Sequence, residues 1–390
     1  MSENARVFDQ WIRNEFVQLN TDLEERYFIQ DDRNNVEGVG DGVKRQLHDD
    51  GRVHIAALLQ EGNTDEGFDR GFDLLGNVGL YMAACGRHGI TQAARESRSP
   101  LREASALAMQ LGASLGVTPR FATSHLTTHN RAINGNYKGF TSLRDEFLFM
   151  DYNTRAVLAY KRAADALLRI LPLGVSHPVS KDLLRASRDA LGDVIEYNRR
   201  LFEKLDTDRF FYCVRPYFKP HRVGLHVYRG ANAGDFAGIN VIDLLLGLCS
   251  ANHAYYSQLL VDKFLYMMPE DQATLRDCMR RRSLLDEFLA CDEKHHGADW
   301  YQDNLALFLE VCDLHGEAAA QHHDQLVRKF IEKPAEGLED SHQENLTASG
   351  PPLPVLLKSL EKLRDLRMAA DREDIPSRYA DVQRLRASLG

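Results

Sequence analysis

Apolar residues recur three and four positions apart through most of the chain, the spacing of one face of an α-helix. This spacing predicts helices over residues 44–60, 65–86 and 101–116, with Gly86 and Gly89 around the end of one and Gly112 and Gly116 around the end of the next. A polar stretch from about 117 to 142 breaks the pattern; it contains Thr118-Pro119-Arg120 and Asn134-Gly135-Asn136-Tyr137-Lys138-Gly139 and reads as a long loop or a linker between lobes. A long helix over about 143–171 stops before Pro172, and another runs from about Lys181 to Leu205. Residues 210–236, rich in aromatics, Pro and Gly, read as irregular backbone. Helices resume at about 237–250, 252–267, 270–280 and 283–291, and a long one spans about 298–332, ending at Pro334. Residues 333–352 read as a loop, 353–370 as an amphipathic helix, and a short tail helix follows Pro376. No alternating strand pattern and no internal repeat stands out, so the expected fold class is all-α.

Length refines this picture. Single cores stop growing at roughly 250–300 residues, so a chain of 390 residues is expected to divide into a small N-terminal helical lobe over 1–120 and a large helical domain over 121–390. With 44% apolar and 27% charged residues the composition is that of a folded globular protein. The net charge of −9 argues against a general nucleic-acid partner, which needs a basic surface to displace counterions. The longest apolar stretch, Val241–Cys249, is too short for a membrane span and contains Asp243. Met1-Ser-Glu-Asn-Ala-Arg6 lacks a basic-then-apolar signal pattern, and the six cysteines form no CxxC pair, so a reduced, cytoplasmic setting is expected. A mostly helical chain carries its ligand sites among helices, often around a cofactor.

The helix over 298–332 holds the most informative histidines. At about 100° per residue, His323 falls in phase with Leu305, Cys312, Gly316, Ala319 and Phe330, on the apolar face. His322 lies about 100° around the helix, roughly in line with His315. The small residues Gly316 and Ala319 are expected to leave a flat recess beside the imidazole. Spacing alone prefers His323 over His322 as an axial ligand, and spacing alone equally suits a hydrogen-bonded core histidine. Zinc has no support, since there is no HExxH and no matched Cys/His cluster.

Three segments change that balance. Phe210-Phe-Tyr-Cys-Val-Arg-Pro-Tyr217 resembles a Phe-Phe-x-x-x-Arg-x-Tyr motif. Gly230-Ala-Asn-Ala-Gly-Asp-Phe-Ala-Gly-Ile-Asn-Val-Ile-Asp-Leu-Leu-Leu-Gly-Leu248 is similar to a glycine-rich loop followed by an Asp-x-x-Leu-Gly helix. His323-Asp-Gln-Leu-Val-Arg-Lys-Phe-Ile-Glu-Lys-Pro-Ala335 looks like a proximal-histidine helix ending in Pro-Ala. Their order and gaps resemble the indoleamine 2,3-dioxygenase superfamily of helical haem proteins over about residues 205–370. Arg215-Pro216-Tyr217 with Pro220 and Arg222-Val-Gly224 places the likeness nearer to the monodechloroaminopyrrolnitrin synthase family within it.

The resemblance implies a haem b enzyme with a haem-binding larger domain. It implies His323 as proximal iron ligand, dioxygen or peroxide as oxidant, and an amino-acid substrate related to tryptophan. An external electron donor and an oligomer are open. Arg215 matches the arginine that holds the substrate carboxylate, and Pro216 is expected to bias it towards extended backbone. The bland reading of Arg215 is a surface salt bridge. Phe210 and Phe211 match pocket-lining aromatics, with plain core packing as an equal reading. Asn232, Ala233 and Gly234 match the loop near haem and substrate, where small residues admit close backbone approach. Asp235 departs from the uncharged residue expected there and reads first as the cap of the helix starting near Phe236, second as a partner for an amino group. Asp151 and Asn153 fall on the helix that passes the distal side in the family. His125 and His129 are assigned nothing beyond a place at a pocket rim. Gly350-Pro-Pro-Leu353 stands where the dioxygenases carry Gly-Thr. The main expectation is therefore a haem-dependent oxygenase of secondary metabolism. Its rivals are a haem-dependent hydroxylase or N-oxygenase of a cationic amino acid, with Asp151 or Asp235 as counter-charge, and a non-catalytic haem or gas sensor.

Overall fold

The computed structural model describes residues 2–62, 67–231, 234–335 and 353–389. The fold is all-α. Each helix predicted from residue 44 onward is present: Asp41–Glu61, Phe68–Arg87, Arg102–Leu115, Arg144–Ile170, Pro178–Lys204, Gly238–Leu246, Ala254–Phe264, Pro269–Cys278, Leu284–His295, Asp299–Gln321, Leu353–Arg367 and Tyr379–Ala387. The long helix expected over 298–332 changes character on the way. It is α-helical to Gln321 and then widens into a π-helix over His322–Glu332.

Two helices precede the first predicted one, Glu3–Arg13 and Glu15–Phe28. Ser2 caps the first by accepting the Ala5 amide at 3.1 Å. Its buried face carries Phe8, Trp11 and Ile12 but also Asp9 and Arg13. Those two pair at 2.8 Å, and Lys138 reaches Asp9 at 2.9 Å. The ion pair sits at the edge of a clearly segregated apolar face, so this helix was readable from its pattern and was passed over. A short antiparallel hairpin, His221–Val223 with His226–Tyr228, was not readable, because three-residue strands are too short to show alternation. Gly224 turns it at φ 59°.

The chain divides into two compact units. The first holds Met1–Asp151, Lys204–Asp235 and Phe330–Leu353; the second holds Tyr152–Glu203, Phe236–Lys329 and Pro354–Gly390. The boundary expected near residue 120 falls inside the first unit, which runs unbroken to Asp151.

The stretch 117–142 is no linker. Its Phe121 and Phe140 are fully buried in the first unit, their rings 5.6 Å apart, and Phe140 stacks on Tyr217 at 4.2 Å. The Glu146 carboxylate, in the first turn of Arg144–Ile170, accepts the Phe140 and Thr141 amides at 2.6 and 2.7 Å and the Thr141 hydroxyl at 2.6 Å. A loop fixed this way carries little apolar periodicity yet is core. His125 belongs to the same core: its ring nitrogens bond the Ala122 amide and the Phe72 carbonyl, both at 2.8 Å.

The second unit packs around Gly238–Leu246, a helix apolar on almost every side and buried along its length. Gly247 ends it at φ 78°, the left-handed conformation a C-terminal glycine supplies. Leu245 and Leu246 share one apolar core with Leu167, Phe288, Leu305 and Phe308.

Close approach in the first unit makes a direct test. A Cβ at Gly79 would stand 2.3 Å from the Phe121 amide nitrogen, so the 117–142 loop lies directly on the helix Phe68–Arg87. Gly79→Ala is expected to lose about 1–3 kcal/mol of stability by forced overpacking, read from urea unfolding. An unchanged midpoint would show that the loop can step back.

Candidate functional site

The first unit places Arg215 at the junction of two tight turns. Phe210–Val214 forms a π-turn, and Arg215–Phe218 continues as a 3₁₀ turn. Arg215 has φ −56° and ψ −36°, so the extended backbone expected from Pro216 is not found. The reason is local. Proline is tolerated in the first turn of a helix, where its missing N–H would have no intrahelical partner.

Arg215 is 7% exposed, and among the described residues no oxygen accepts a hydrogen bond from its guanidinium. Phe211, fully buried, lies under it with the guanidinium carbon 5.6 Å from the ring centroid. Burial lowers the Arg215 pKa to about 10, so it remains charged at neutral pH. The surface salt bridge of the bland reading is absent. Phe210 packs edge-on against Phe330 at 5.9 Å and meets Phe149 at 5.0 Å.

Beneath this segment the charges are matched. Arg87 bonds the fully buried Glu24 through two contacts of 2.8 Å and donates to the Tyr212 carbonyl at 3.0 Å. His88 bridges Asn20 at 2.7 Å and Tyr27 at 3.1 Å. Lys219, four residues after Arg215, is half-buried, and burial with the Arg87 and Arg215 charges drives its pKa down to about 7. The sequence reading passed over it.

Asp235 does not cap the following helix. That helix starts at Gly238, with Ala237 as N-cap and no side-chain cap. Asp235 is buried instead between two guanidinium groups, accepting from Arg120 at 2.8 Å and from Arg229. Gly234 lies in the turn before it; Asn232 and Ala233, like Gly350, Pro351 and Pro352, lie outside the described residues. Asp151 and Asn153 sit half-buried on Arg144–Ile170, Asp151 in the first unit and Asn153 in the second.

The second unit carries the histidines. His323 is buried, at the start of the π-helical stretch. Its Nδ1 lies 2.9 Å from Asp324 Oδ1 and 3.3 Å from Arg364 Nη1. A guanidinium only donates, so the two contacts ask for opposite proton states; the shorter one places the proton on Nδ1, donated to the carboxylate. Arg364 also stands 3.5 Å from Asp324 and bonds Asp365 at 2.8 Å. Nε2 of His323 has no partner among the described residues.

His322 differs. Its ring is accessible, yet the protein around it, with Arg367, Lys263 and His323, lowers its pKa to about 4.

The recess expected at Gly316 is filled. A Cβ there would stand 3.1 Å from Met368 Cα and 3.2 Å from the Arg367 carbonyl oxygen. Glycine at this position admits the end of the helix Leu353–Arg367.

That helix delivers Arg367 to Asp243, the acid of the Asp-x-x-Leu-Gly segment. Asp243 accepts two bonds of 2.8 Å from Arg367, one of 2.7 Å from His315 Nε2 and one of 2.6 Å from the Tyr256 hydroxyl. Burial opposes its charge, but the Arg367 and His315 contacts win and hold its pKa well below the usual carboxylate range. The motif acid is therefore a structural clasp among four helices. Its partners Arg367 and His315 lie 124 and 72 residues away in sequence, and nothing in the sequence pattern pointed to either.

Whether these residues fit a haem turns on His323. Iron in a porphyrin needs one imidazole nitrogen from the protein, its ring held through the other. His323 offers this arrangement, Nδ1 tied to a carboxylate and Nε2 unengaged. Among the described residues no three His, Cys, Asp or Glu side chains group as a metal cage. The other iron ligands come from the macrocycle, so a histidine held in this way fits the class of helical haem proteins. The family is shown by comparison: the family model for monodechloroaminopyrrolnitrin synthase PrnB matches residues 2–389, and the chain belongs to that family, within the indoleamine 2,3-dioxygenase-like haem superfamily. No individual curated protein matches it.

The Asp243 clasp has a testable sign. Asp243→Asn leaves Arg367 buried without a counter-charge and is expected to cost about 3–5 kcal/mol at neutral pH. The folded pKa is depressed, so the charge contribution is present above the unfolded value of roughly 4 and is lost as pH falls through the folded pKa. Urea titrations of both proteins should show their stability gap narrowing below about pH 4; a gap independent of pH would deny the charge its role.

Proposed function

We propose that this protein is a haem-dependent oxygenase of secondary metabolism acting on the free carboxylate form of an amino acid, tryptophan or a substituted tryptophan. One observation carries the reading. Of the buried arginines and lysines among the described residues, Arg13, Lys44, Arg87, Arg120 and Lys138 each have an oxygen partner, and Arg215 has none. Burying an unmatched charge costs on the order of several kcal/mol, far more than one ring face returns. Such a cost is retained where an anion from outside completes the pair, and a carboxylate matches the planar guanidinium through two parallel bonds. The family supplies the rest of the reading: its members are haem-dependent oxygenases of tryptophan-derived substrates.

In this reading His323 holds haem b through Nε2, and the bound iron supplies the centre at which dioxygen, or peroxide, is activated. Asp324 accepts the Nδ1 proton, fixes the tautomer and turns the ring; Arg364 keeps the carboxylate in place. Arg215 fixes the substrate carboxylate in position and angle. Phe211 supports the guanidinium from below, and Phe210 contributes apolar wall. Gly234, without a side chain, gives backbone close access to the substrate. Asp151 and Asn153 provide distal polarity. Asp235 serves by anchoring the loop end to Arg120 and Arg229, and its charge is spent there. This weakens the rival reading of a cationic substrate, and a gas sensor has no use for an unmatched Arg215.

An absorption spectrum tests the haem claim. The purified protein loaded with haem should show a Soret band that is lost in His323→Ala and kept in His322→Ala; the reverse result would move the ligand by one residue. Arg215→Ala is expected to weaken binding of L-tryptophan roughly 30-fold or more, the ~2–3 kcal/mol of a charge-assisted contact. Binding of tryptamine, which lacks the carboxylate, should barely change. Equal losses for both compounds would assign Arg215 to the fold instead.

A further inference from the structure

We propose that Glu146 is a positioning residue of the carboxylate site: it seats Phe140 against the turn that carries Arg215, and so fixes the direction of the guanidinium. The inference rests on the reading of Arg215 just given. Its contacts form an unbroken chain within the first unit. The buried Glu146 carboxylate takes the Phe140 amide on Oε1 at 2.6 Å, and the Thr141 amide and hydroxyl on Oε2 at 2.7 and 2.6 Å. Three donors converging on one side chain ask for acceptors only, which an ionised carboxylate supplies and an amide does not. The backbone is held close as well, since a Cβ at Gly139 would stand 3.1 Å from Glu146 Oε1. Among the described residues no arginine or lysine pairs with Glu146. A buried carboxylate without a cation is a costly way to close a loop, and it is retained where the loop must sit in one place.

What this loop delivers is the Phe140 ring. It stacks on Tyr217 at 4.2 Å with the planes 22° apart, and meets Phe218 edge-on at 6.0 Å. Tyr217 and Phe218 are the last two residues of the four-residue turn Arg215–Phe218. The Tyr217 hydroxyl lies 3.4 Å from both Asn20 Oδ1 and His88 Nε2. Those contacts are long for hydrogen bonds, so the ring face fixes Tyr217 more firmly than its hydroxyl does. Arg215 has no oxygen partner among the described residues to aim it, and Phe211 supports only one face of its guanidinium. Its direction is therefore set by its backbone, and so short a turn is set by the two aromatic residues that end it. Without the Glu146 carboxylate the Phe140–Thr141 backbone loses its anchor, Tyr217 loses its stacking plane and Arg215 samples more directions. Two parallel bonds to a carboxylate tolerate little misdirection, so the loss falls on ligands that carry one.

The test is equilibrium titration of the haem-loaded protein with L-tryptophan and with tryptamine. Glu146→Gln keeps the size of the side chain and turns one acceptor into a donor. Phe140→Leu removes the stacking ring and leaves the amide bonds to Glu146 in place, so it carries the same comparison if the first variant does not fold. Each is expected to weaken L-tryptophan binding about tenfold, the scale of a small misplacement of a binding group, and to leave tryptamine binding unchanged. In an Arg215→Ala background neither substitution should weaken L-tryptophan binding further, since residues that act through one another are not additive. Equal losses for the two ligands, or a full loss that persists in the Arg215→Ala background, overturns the proposal and makes Glu146 a staple of the fold. If Arg215→Ala weakens L-tryptophan binding and neither variant does, Glu146 alone is removed from the site. If Arg215→Ala has no effect, or wild type binds neither compound, the carboxylate reading of Arg215 falls and this inference falls with it.

Discussion

Buried charge must be matched, and that requirement organises both units of this protein. In the second unit Asp243 gathers Arg367, His315 and Tyr256 and so ties four helices at one carboxylate. In the first, Glu24 matches Arg87 and Asp235 matches Arg120 and Arg229. Each pairing removes a large desolvation cost only because the geometry is complete. Against that background the unmatched guanidinium of Arg215 is informative, since every other buried arginine or lysine among the described residues has an oxygen partner.

The iron side of the proposed site follows the same logic on a smaller scale. Asp324 is the next residue after His323, so the partner that holds the ring is supplied by the chain itself. Arg364 then secures Asp324 from a different helix. The widening of the backbone into a π-helix at His322 begins at these histidines, as such widenings often do at functional positions.

The helical class and the helix positions from residue 44 onward were legible because most helices carry an apolar stripe of regular period. The helices at Glu3–Arg13 and Glu15–Phe28 were passed over although the first carries a clear apolar face. The loop over 117–142 was misread for a different reason: Phe121 and Phe140 anchor it individually, with no period to reveal them. Of the proposed site, His323 and Arg215 could be named from motif order. Their partners could not. Arg364 is 41 residues from His323 in sequence, and the pairing of Asp243 with Arg367 spans 124. Asp235 looked like a cap because helix starts attract acids, yet two distant arginines compete for it and win. Gly316 looked like space for a ligand because a small residue leaves room, but sequence does not say what fills the room.

The helix Leu353–Arg367 carries one consequence of its own. Through Arg364 it holds the carboxylate beside His323, and through Arg367 it neutralises Asp243. It cannot fray by itself, because lifting its last turn strands a buried carboxylate and loosens the histidine's support together. The amide hydrogens of that last turn should therefore exchange with solvent only in the large openings that also release the Gly238–Leu246 core, which makes the end of a peripheral helix part of the slowest cooperative block of the second unit.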